Sequence, residues 1–107
     1  MEVGPEYAAY ISAYTSGLVS TESNIKVLLQ SDYPFELNED KSIKENIIKF
    51  SPSISGTAYL KDNSTIEFVP EEKLKQGEIY TGKLDLSKII KNVPDSMKLF
   101  QFQFQAK

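Results

Sequence analysis

Residues 74–80 read LKQGEIY and have the spacing L-x-x-G-x-x-Y. In β-sandwich domains this spacing marks a tyrosine corner. There, a tyrosine near the start of a late strand crosses the corner between two sheets, and its hydroxyl bonds to backbone a few residues upstream. Gly77 permits the tight backbone of the corner, and Leu74 is expected to cap the core beneath it. The spacing predicts that Tyr80 fixes such a corner; the alternative is an ordinary half-buried strand aromatic.

The sequence on both sides of this motif alternates between apolar and polar residues, which is typical of strands. Upstream, residues 56–60 and 65–69 flank the turn-rich tetrapeptide KDNS and predict a β-hairpin with Ile66 and Phe68 facing the core. Downstream, the next predicted strand places four residues on one face: Tyr80, Gly82, Leu84 and Leu86.

The last strand is the clearest one in the sequence. Residues 100–105 read FQFQFQ, so three phenylalanines alternate with three glutamines. The period of two puts Phe100, Phe102 and Phe104 together on one face of a strand. We predict that this face lies in the core, and that the glutamine face is solvated or packs against a neighbouring domain.

The front of the chain predicts two further strands. Residues 7–15 alternate weakly, and the pattern ends at Gly17. The first predicted strand places Tyr7, Ala9, Ile11 and Ala13 on one face. The second has the apolar residues Ile25, Val27 and Leu29 on its inner face.

The two longest connections are polar. Residues 31–46 contain Pro34 and a charged cluster, and they predict a loop. A short strand follows, with Ile48 and Phe50 pointing inward, and Pro52 stops it. Residues 87–98 predict a connection with a helical turn around residues 88–91.

These elements amount to about seven short strands in a single domain over residues 1–107. Such a pattern is typical of an all-β, immunoglobulin-like Greek-key β-sandwich. An up-and-down barrel is the main alternative.

Composition excludes several classes of function. The net charge of −3 argues against nucleic acid, and all twelve basic residues are lysine, so no arginine is present to form bidentate contacts with phosphate. No apolar run is long enough to span a membrane, and the first twenty residues lack a signal peptide. Export would therefore require a signal outside this sequence.

The chain also lacks the residues of the common catalytic sites. It has no histidine and no cysteine, so a Ser-His-Asp site or a Cys-His site cannot be assembled, and a zinc centre is disfavoured because its preferred nitrogen and sulfur ligands are missing. Carboxylates are available, but we predict that they belong to solvated loops and hold no metal: Glu36, Glu39, Asp40, Glu45, Glu71 and Glu72. We expect no catalytic residues, no metal and no cofactor.

Two patterns mark possible surface sites. Residues 63–65 read NST, which fits an acceptor for N-glycosylation at Asn63. Residues 95–97 read DSM and are similar to a short acceptor for O-glycans, which would modify Ser96. Separately, alternation predicts that Tyr10 and Tyr14 lie opposite Ile11. We favour the interpretation that they are ordinary strand aromatics; the alternative is that they form an exposed contact for another domain or a sugar.

Several motifs together resemble a known family. They are similar to bacterial Ig-like domains of surface proteins, and the front of the chain resembles the N-terminal region of Bacteroides-type alpha-2-macroglobulin-like proteins. The segments that carry the resemblance are FSPSISG at 50–56, TIEFVP at 65–70, LKQGEIY at 74–80 and FQF at 100–102, preceded by AYTSGLVS at 13–20 and SNIKV at 23–27.

The resemblance implies a non-catalytic structural module of a large exported protease-trapping lipoprotein, at the periplasm or the cell surface. It implies that the domain contacts neighbouring domains of the same chain, and that proteases are engaged only by the full-length protein. The segment is expected neither to bind nucleic acid nor to enter a membrane, and as an isolated domain to be a monomer. The alternative is an adhesin or a glycan- or protein-binding module. An enzyme is disfavoured because the catalytic groups are missing.

Overall fold

The computed structural model describes residues 5–107 of the chain. Within this range, segments with alternating apolar residues form eight strands, and three short segments form 3₁₀ helices. The strands are β1 (Ile11–Tyr14), β2 (Gly17–Val19), β3 (Ile25–Leu29), β4 (Ile48–Ser51), β5 (Gly56–Leu60), β6 (Thr65–Pro70), β7 (Ile79–Asp85) and β8 (Leu99–Ala106). The 3₁₀ helices span Pro5–Ala9, Leu86–Lys88 and Asp95–Met97.

The described strands form two four-stranded sheets, with the orders β1-β3-β6-β5 and β2-β8-β7-β4. All pairings are antiparallel except that of β2 with β8, which is parallel. The chain changes sheet at each connection from β1 to β5 and again between β6 and β7, whereas β5 and β6 lie together in one sheet and β7 and β8 in the other. This is the immunoglobulin-like Greek-key sandwich predicted from the sequence, and two separate sheets exclude the barrel.

The front of the chain differs from the prediction. Residues 7–15 do not form one strand, because the 3₁₀ helix Pro5–Ala9 takes up the first of them and β1 begins only at Ile11. Gly17 does not end the strand region; with φ of 69° it begins β2, in the opposite sheet. A single leading segment therefore serves both sheets, and the count of strands rises from about seven to eight.

Three phenylalanines of β8 form the centre of the core. Phe100, Phe102 and Phe104 are fully buried, and their rings stack along the strand with centroids 5.7 and 6.2 Å apart. The opposing sheet contributes buried side chains from β3 and β6: Ile25, Val27, Leu29, Ile66 and Phe68. The predicted inner faces of these strands and of β8 are confirmed.

A glycine of β7 makes room for the central phenylalanine. Gly82 pairs with Phe102 across β7 and β8, and a β-carbon on Gly82 would lie 2.4 Å from Cζ of the Phe102 ring. The ring therefore covers the glycine backbone directly. Two residues earlier in β7, Tyr80 pairs with Phe104 of β8. Its ring stacks on the Phe104 ring, with centroids 5.5 Å apart and an interplanar angle of 20°.

The tyrosine corner forms as predicted. The Tyr80 hydroxyl accepts a hydrogen bond from the backbone N–H of Lys75, at 3.0 Å and five residues upstream. Leu74 is buried beneath the corner, as predicted. Gly77 has a φ of 85°, a backbone conformation that would be strained for any residue with a side chain. The N–H of Gly77 donates to the Ala106 carbonyl, so the corner also holds the end of β8.

The predicted loops are largely confirmed. Residues 31–46 contain only isolated bridges, which join Leu37 to Ile43 and Ser42 to Tyr59. The hairpin of β5 and β6 has the predicted strands and turn. The helical turn after β7 begins earlier than predicted, at Leu86–Lys88, because the Asp85 side chain accepts a hydrogen bond from the Ser87 N–H and caps it there.

We predict that Gly82→Ala destabilises the domain by about 1–3 kcal/mol, the usual range for overpacking a tight core. The new methyl group would force the Phe102 ring out of its position. Urea unfolding of the variant and the parent measures the difference. Gln101→Ala, on the exposed face of β8, is the matched control and should change stability by less than about 0.5 kcal/mol. An unfolding midpoint of Gly82→Ala equal to that of the parent would contradict the packing described above.

Candidate functional site

The carboxylates singled out from the sequence lie outside the strands and are exposed: Glu36, Glu39, Asp40, Glu45, Glu71 and Glu72. Their predicted place in loops is confirmed. Within residues 5–107 they form no cluster of three or more groups suited to a metal ion. No helix of the described chain is long and apolar enough to cross a membrane.

Two aspartates organise loops. Hydrogen bonds from the hydroxyl and the backbone N–H of Ser42 hold the pKa of the Asp40 carboxyl below its usual value. Hydrogen bonds from the Ser64 N–H and the Thr65 hydroxyl lower the pKa of Asp62 in the same way. Both carboxylates are therefore used to shape turns.

The two surface patterns lie in accessible places. Asn63 is exposed in the loop between β5 and β6, and Ser96 is exposed in the 3₁₀ helix Asp95–Met97. Both positions are sterically open to modification, and whether either carries a glycan stays a prediction.

The alternative of an exposed tyrosine pair is wrong. Tyr10 and Tyr14 are half-buried, and the Tyr14 ring packs edge-on against Phe100 at 5.2 Å and against Phe102 at 5.9 Å. The reason is an irregularity in the pairing of β1 with β3 between Ile11 and Ala13, which shifts the alternation by one residue. Tyr14 thus shares the inner face with Ile11.

The other aromatic side chains are also withdrawn from the surface. Every tyrosine and phenylalanine in residues 7–107 is buried or half-buried. The described part of the chain therefore has no exposed aromatic platform on which a sugar ring would stack.

A groove lies between the loop before β4 and the turn after β7, with a volume of about 670 Å³. Ile47, Ile89 and Ile90 line its floor. Its rim mixes both charges: Glu36, Lys44, Glu45, Lys88 and Lys91. Lys88 is engaged, since its ammonium donates to the Asn46 carbonyl at 2.9 Å. The mixed rim gives the groove no preference for a ligand of either charge.

The outer face of the sheet β2-β8-β7-β4 is the most distinctive surface. Its strand β8 is neutral there and rich in amides, with Gln101, Gln103 and Gln105. Two of these amides are held within the sheet. Gln103 Nε2 donates to the Thr81 hydroxyl at 3.4 Å, and Gln105 Nε2 donates to the Gly77 carbonyl at 3.2 Å. We call this surface the glutamine face.

Large apolar side chains lie at both ends of the glutamine face. Register places Leu18, Gln105 and Ile79 in one row across β2, β8 and β7. Leu18 is 65% exposed and Ile79 is 54% exposed. Leu99, at the other end of β8, is 46% exposed. Three of the four exposed large hydrophobic residues in the described chain thus belong to one sheet face, where a neighbouring surface would cover them.

The chain enters and leaves the sandwich at opposite ends. The Tyr7 hydroxyl donates to the carbonyl of Leu99, at the start of β8, whereas the N–H of Lys107 donates to the Val19 carbonyl beyond its end. The eight residues of β8 separate these points by about 23 Å at the usual rise per strand residue.

No protein-family model matches the chain, and no curated protein is similar to it. Among solved structures, L,D-transpeptidase 3 from Mycobacterium tuberculosis in complex with a faropenem-derived adduct matches 94% of this chain with a TM-score of 0.57 and 11% identity. An L,D-transpeptidase from M. tuberculosis H37Rv matches the same share, again with a TM-score of 0.57 and 11% identity. The likeness is one of fold. The chain spans 38% and 41% of those two chains, about two fifths of their length.

We predict that the double variant Leu18→Ser/Ile79→Ser leaves the stability of the isolated domain within about 0.5 kcal/mol of the parent, because both side chains are largely solvated. Leu84→Ala, at a fully buried position of the same sheet, is the contrast and should lose about 2–5 kcal/mol. Urea unfolding measures both. A loss in the serine variant as large as that of Leu84→Ala would show that the row is part of the core and not a free surface.

Proposed function

We propose that this domain is a non-catalytic structural module of a larger exported protein, in which the glutamine face packs against a neighbouring domain of the same chain. The observation that carries the proposal is the row of Leu18 and Ile79 on either side of Gln105. An exposed apolar pair on a sheet face is suited to a partner surface, because covering it removes apolar area from water.

The position of this row supports the proposal further. Leu18 and Ile79 lie at the end of the sheet where β8 ends, next to the point at which Lys107 bonds to Val19. A neighbouring domain that covered the row would contact this end of the sheet. The sandwich would then act mechanically, by fixing the angle between its neighbours.

The finer form of the proposal is that the parent is an alpha-2-macroglobulin-like protease-trapping protein of the Bacteroides type. The resemblance of the segments at 13–20 and 23–27 supports it, within the broader resemblance of the later motifs to bacterial Ig-like domains. In that setting the domain is part of the scaffold of a periplasmic or cell-surface lipoprotein with a lipid anchor elsewhere in the chain. Proteases meet the full-length protein, and the isolated domain is a monomer that inhibits none of them.

An adhesin or glycan-binding module is the alternative. That function would use exposed aromatic rings or a built polar pocket. Tyr10 and Tyr14, the first candidates for such rings, pack against the core instead. The burial of both residues favours the structural module.

The isolated domain should leave protease activity unchanged. We expect serine, cysteine and metalloproteases of broad specificity to cleave a small fluorogenic substrate at the same rate with and without an excess of the domain, because trapping requires parts that this sandwich lacks. Serum albumin at the same concentration is the control for competition by bulk protein. Stoichiometric inhibition beyond that control would overturn the scaffold proposal.

A further inference from the structure

Two lysines face each other on the glutamine face. Register pairs Lys49 of β4 directly with Lys83 of β7, and both side chains are exposed. Such opposed residues lie close together, and like charges in this position are destabilising. Neither lysine takes part in a salt bridge with any residue in the described range. The next residue in the row, Gln101, is uncharged.

The nearest acid on this face does not compensate the pair. Asp85 is the one carboxylate on the outer side of the four strands as described, and its Oδ1 accepts from the Ser87 N–H at 3.0 Å and from the Ser87 hydroxyl. Its hydrogen bonds thus cap the turn after β7. The lysine pair is a local positive patch on a chain whose net charge is −3.

The patch adjoins a sheet edge that has no further strand beside it. β4 is the last strand of its sheet. The N–H of Asp85 donates to the Ile47 carbonyl, which sets the alternation of the ladder. Lys49 and Ser51 then bond to β7, whereas the N–H and C=O groups of Ile48 and Phe50 point away from the sheet. Within the described chain, no residue outside β7 forms a hydrogen bond with these four backbone groups.

The comparable edge of the other sheet is covered. Residues 41–43 run beside β5, where the Ile43 N–H donates to the Ala58 carbonyl and the Leu60 N–H donates to the Lys41 carbonyl. A lysine on an open edge commonly protects that edge from pairing with another chain. Protection of the edge explains why a lysine is present at position 49 of β4. It does not explain Lys83, because β7 is an interior strand.

We propose that the β4 edge accepts an extended acidic segment of a partner as an added strand. The backbone of the segment pairs with Ile48 and Phe50, and its carboxylates lie beside Lys49 on the outer face. Lys83, one strand further in, strengthens the positive potential behind them. Alternation then places the other side chains of the segment on the inner side, next to the half-buried Phe50. This inference deepens the proposed docking role, because it names the chemistry of the partner. It rests on the proposed function in one respect: both take this sheet as the side of the domain that docks.

The test is a titration of the ¹⁵N-labelled chain with an acetylated eight-residue peptide of alternating valine and glutamate, followed by NMR. We expect saturable shifts centred on the amides of Ile48 and Phe50. The double variant Lys49→Gln/Lys83→Gln should weaken binding about tenfold, because the binding free energies of two exposed charge contacts together correspond to a factor of that size. Lys61→Gln is the matched control, since Lys61 is an exposed lysine in the turn between β5 and β6, and it should bind like the parent.

Two further peptides separate strand addition from simple charge attraction. A peptide of alternating valine and lysine should not bind. A valine–glutamate peptide that is N-methylated at every second residue keeps its charge but loses backbone donors, and it should not bind either. Equal binding of the methylated peptide, shifts centred elsewhere, or no saturable shifts with the first peptide would each overturn the inference. None of these results would alter the protease assay, so a failure here is distinct from a failure of the proposed function.

Discussion

The ring of Phe102 lies directly over the backbone of Gly82, and the two sheets are arranged around this contact. A β-carbon at Gly82 would lie 2.4 Å from Cζ of the ring, so a side chain there would displace the ring. With glycine there, the stack of Phe100, Phe102 and Phe104 lies flat along β8. Tyr14 from the first sheet and Phe50 from β4 then close on the stack from its two sides.

The same contact links the core to the surface. Because the phenylalanines of β8 must point inward, its glutamines must point outward, and the row of Leu18, Gln105 and Ile79 is fixed by the same register. The tyrosine corner holds the end of β8 in place through the bond from Gly77 to Ala106. The glutamine face is therefore held in register with the core, which suits the proposed role of a module that positions its neighbours.

Local patterns predict those parts of the fold that depend on local alternation. The inner faces of β3, β6, β7 and β8 follow from a period of two, and the corner follows from one spacing of seven residues. The front of the chain depends on non-local contacts. β2 is in its sheet because Gly17 pairs with Phe104, far along the chain, and Tyr14 is inward because β1 slips by one residue against β3. A glycine inside a strand, Gly82, was the available signal for the close approach of a ring.

The candidate surface likewise divides into features that a local pattern predicts and features that depend on pairing between strands. The glutamine stripe is visible in the sequence, but the opposition of Lys49 and Lys83 and the row of Leu18 and Ile79 are properties of register between strands. Sequence alone likewise excludes histidine and cysteine chemistry, whereas the loss of the tyrosine platform required the side-chain packing. Register thus determines which residues the sandwich offers to a partner.

The most direct measurement is the size and location of the native protein. Antibodies raised against this domain would be used on fractionated source cells, before and after brief treatment of intact cells with protease. The account predicts an exported, membrane-associated band many times heavier than 12.1 kDa that protease converts into a few discrete products. A band near the mass of the domain alone, or one that remains in the cytosolic fraction, would contradict it.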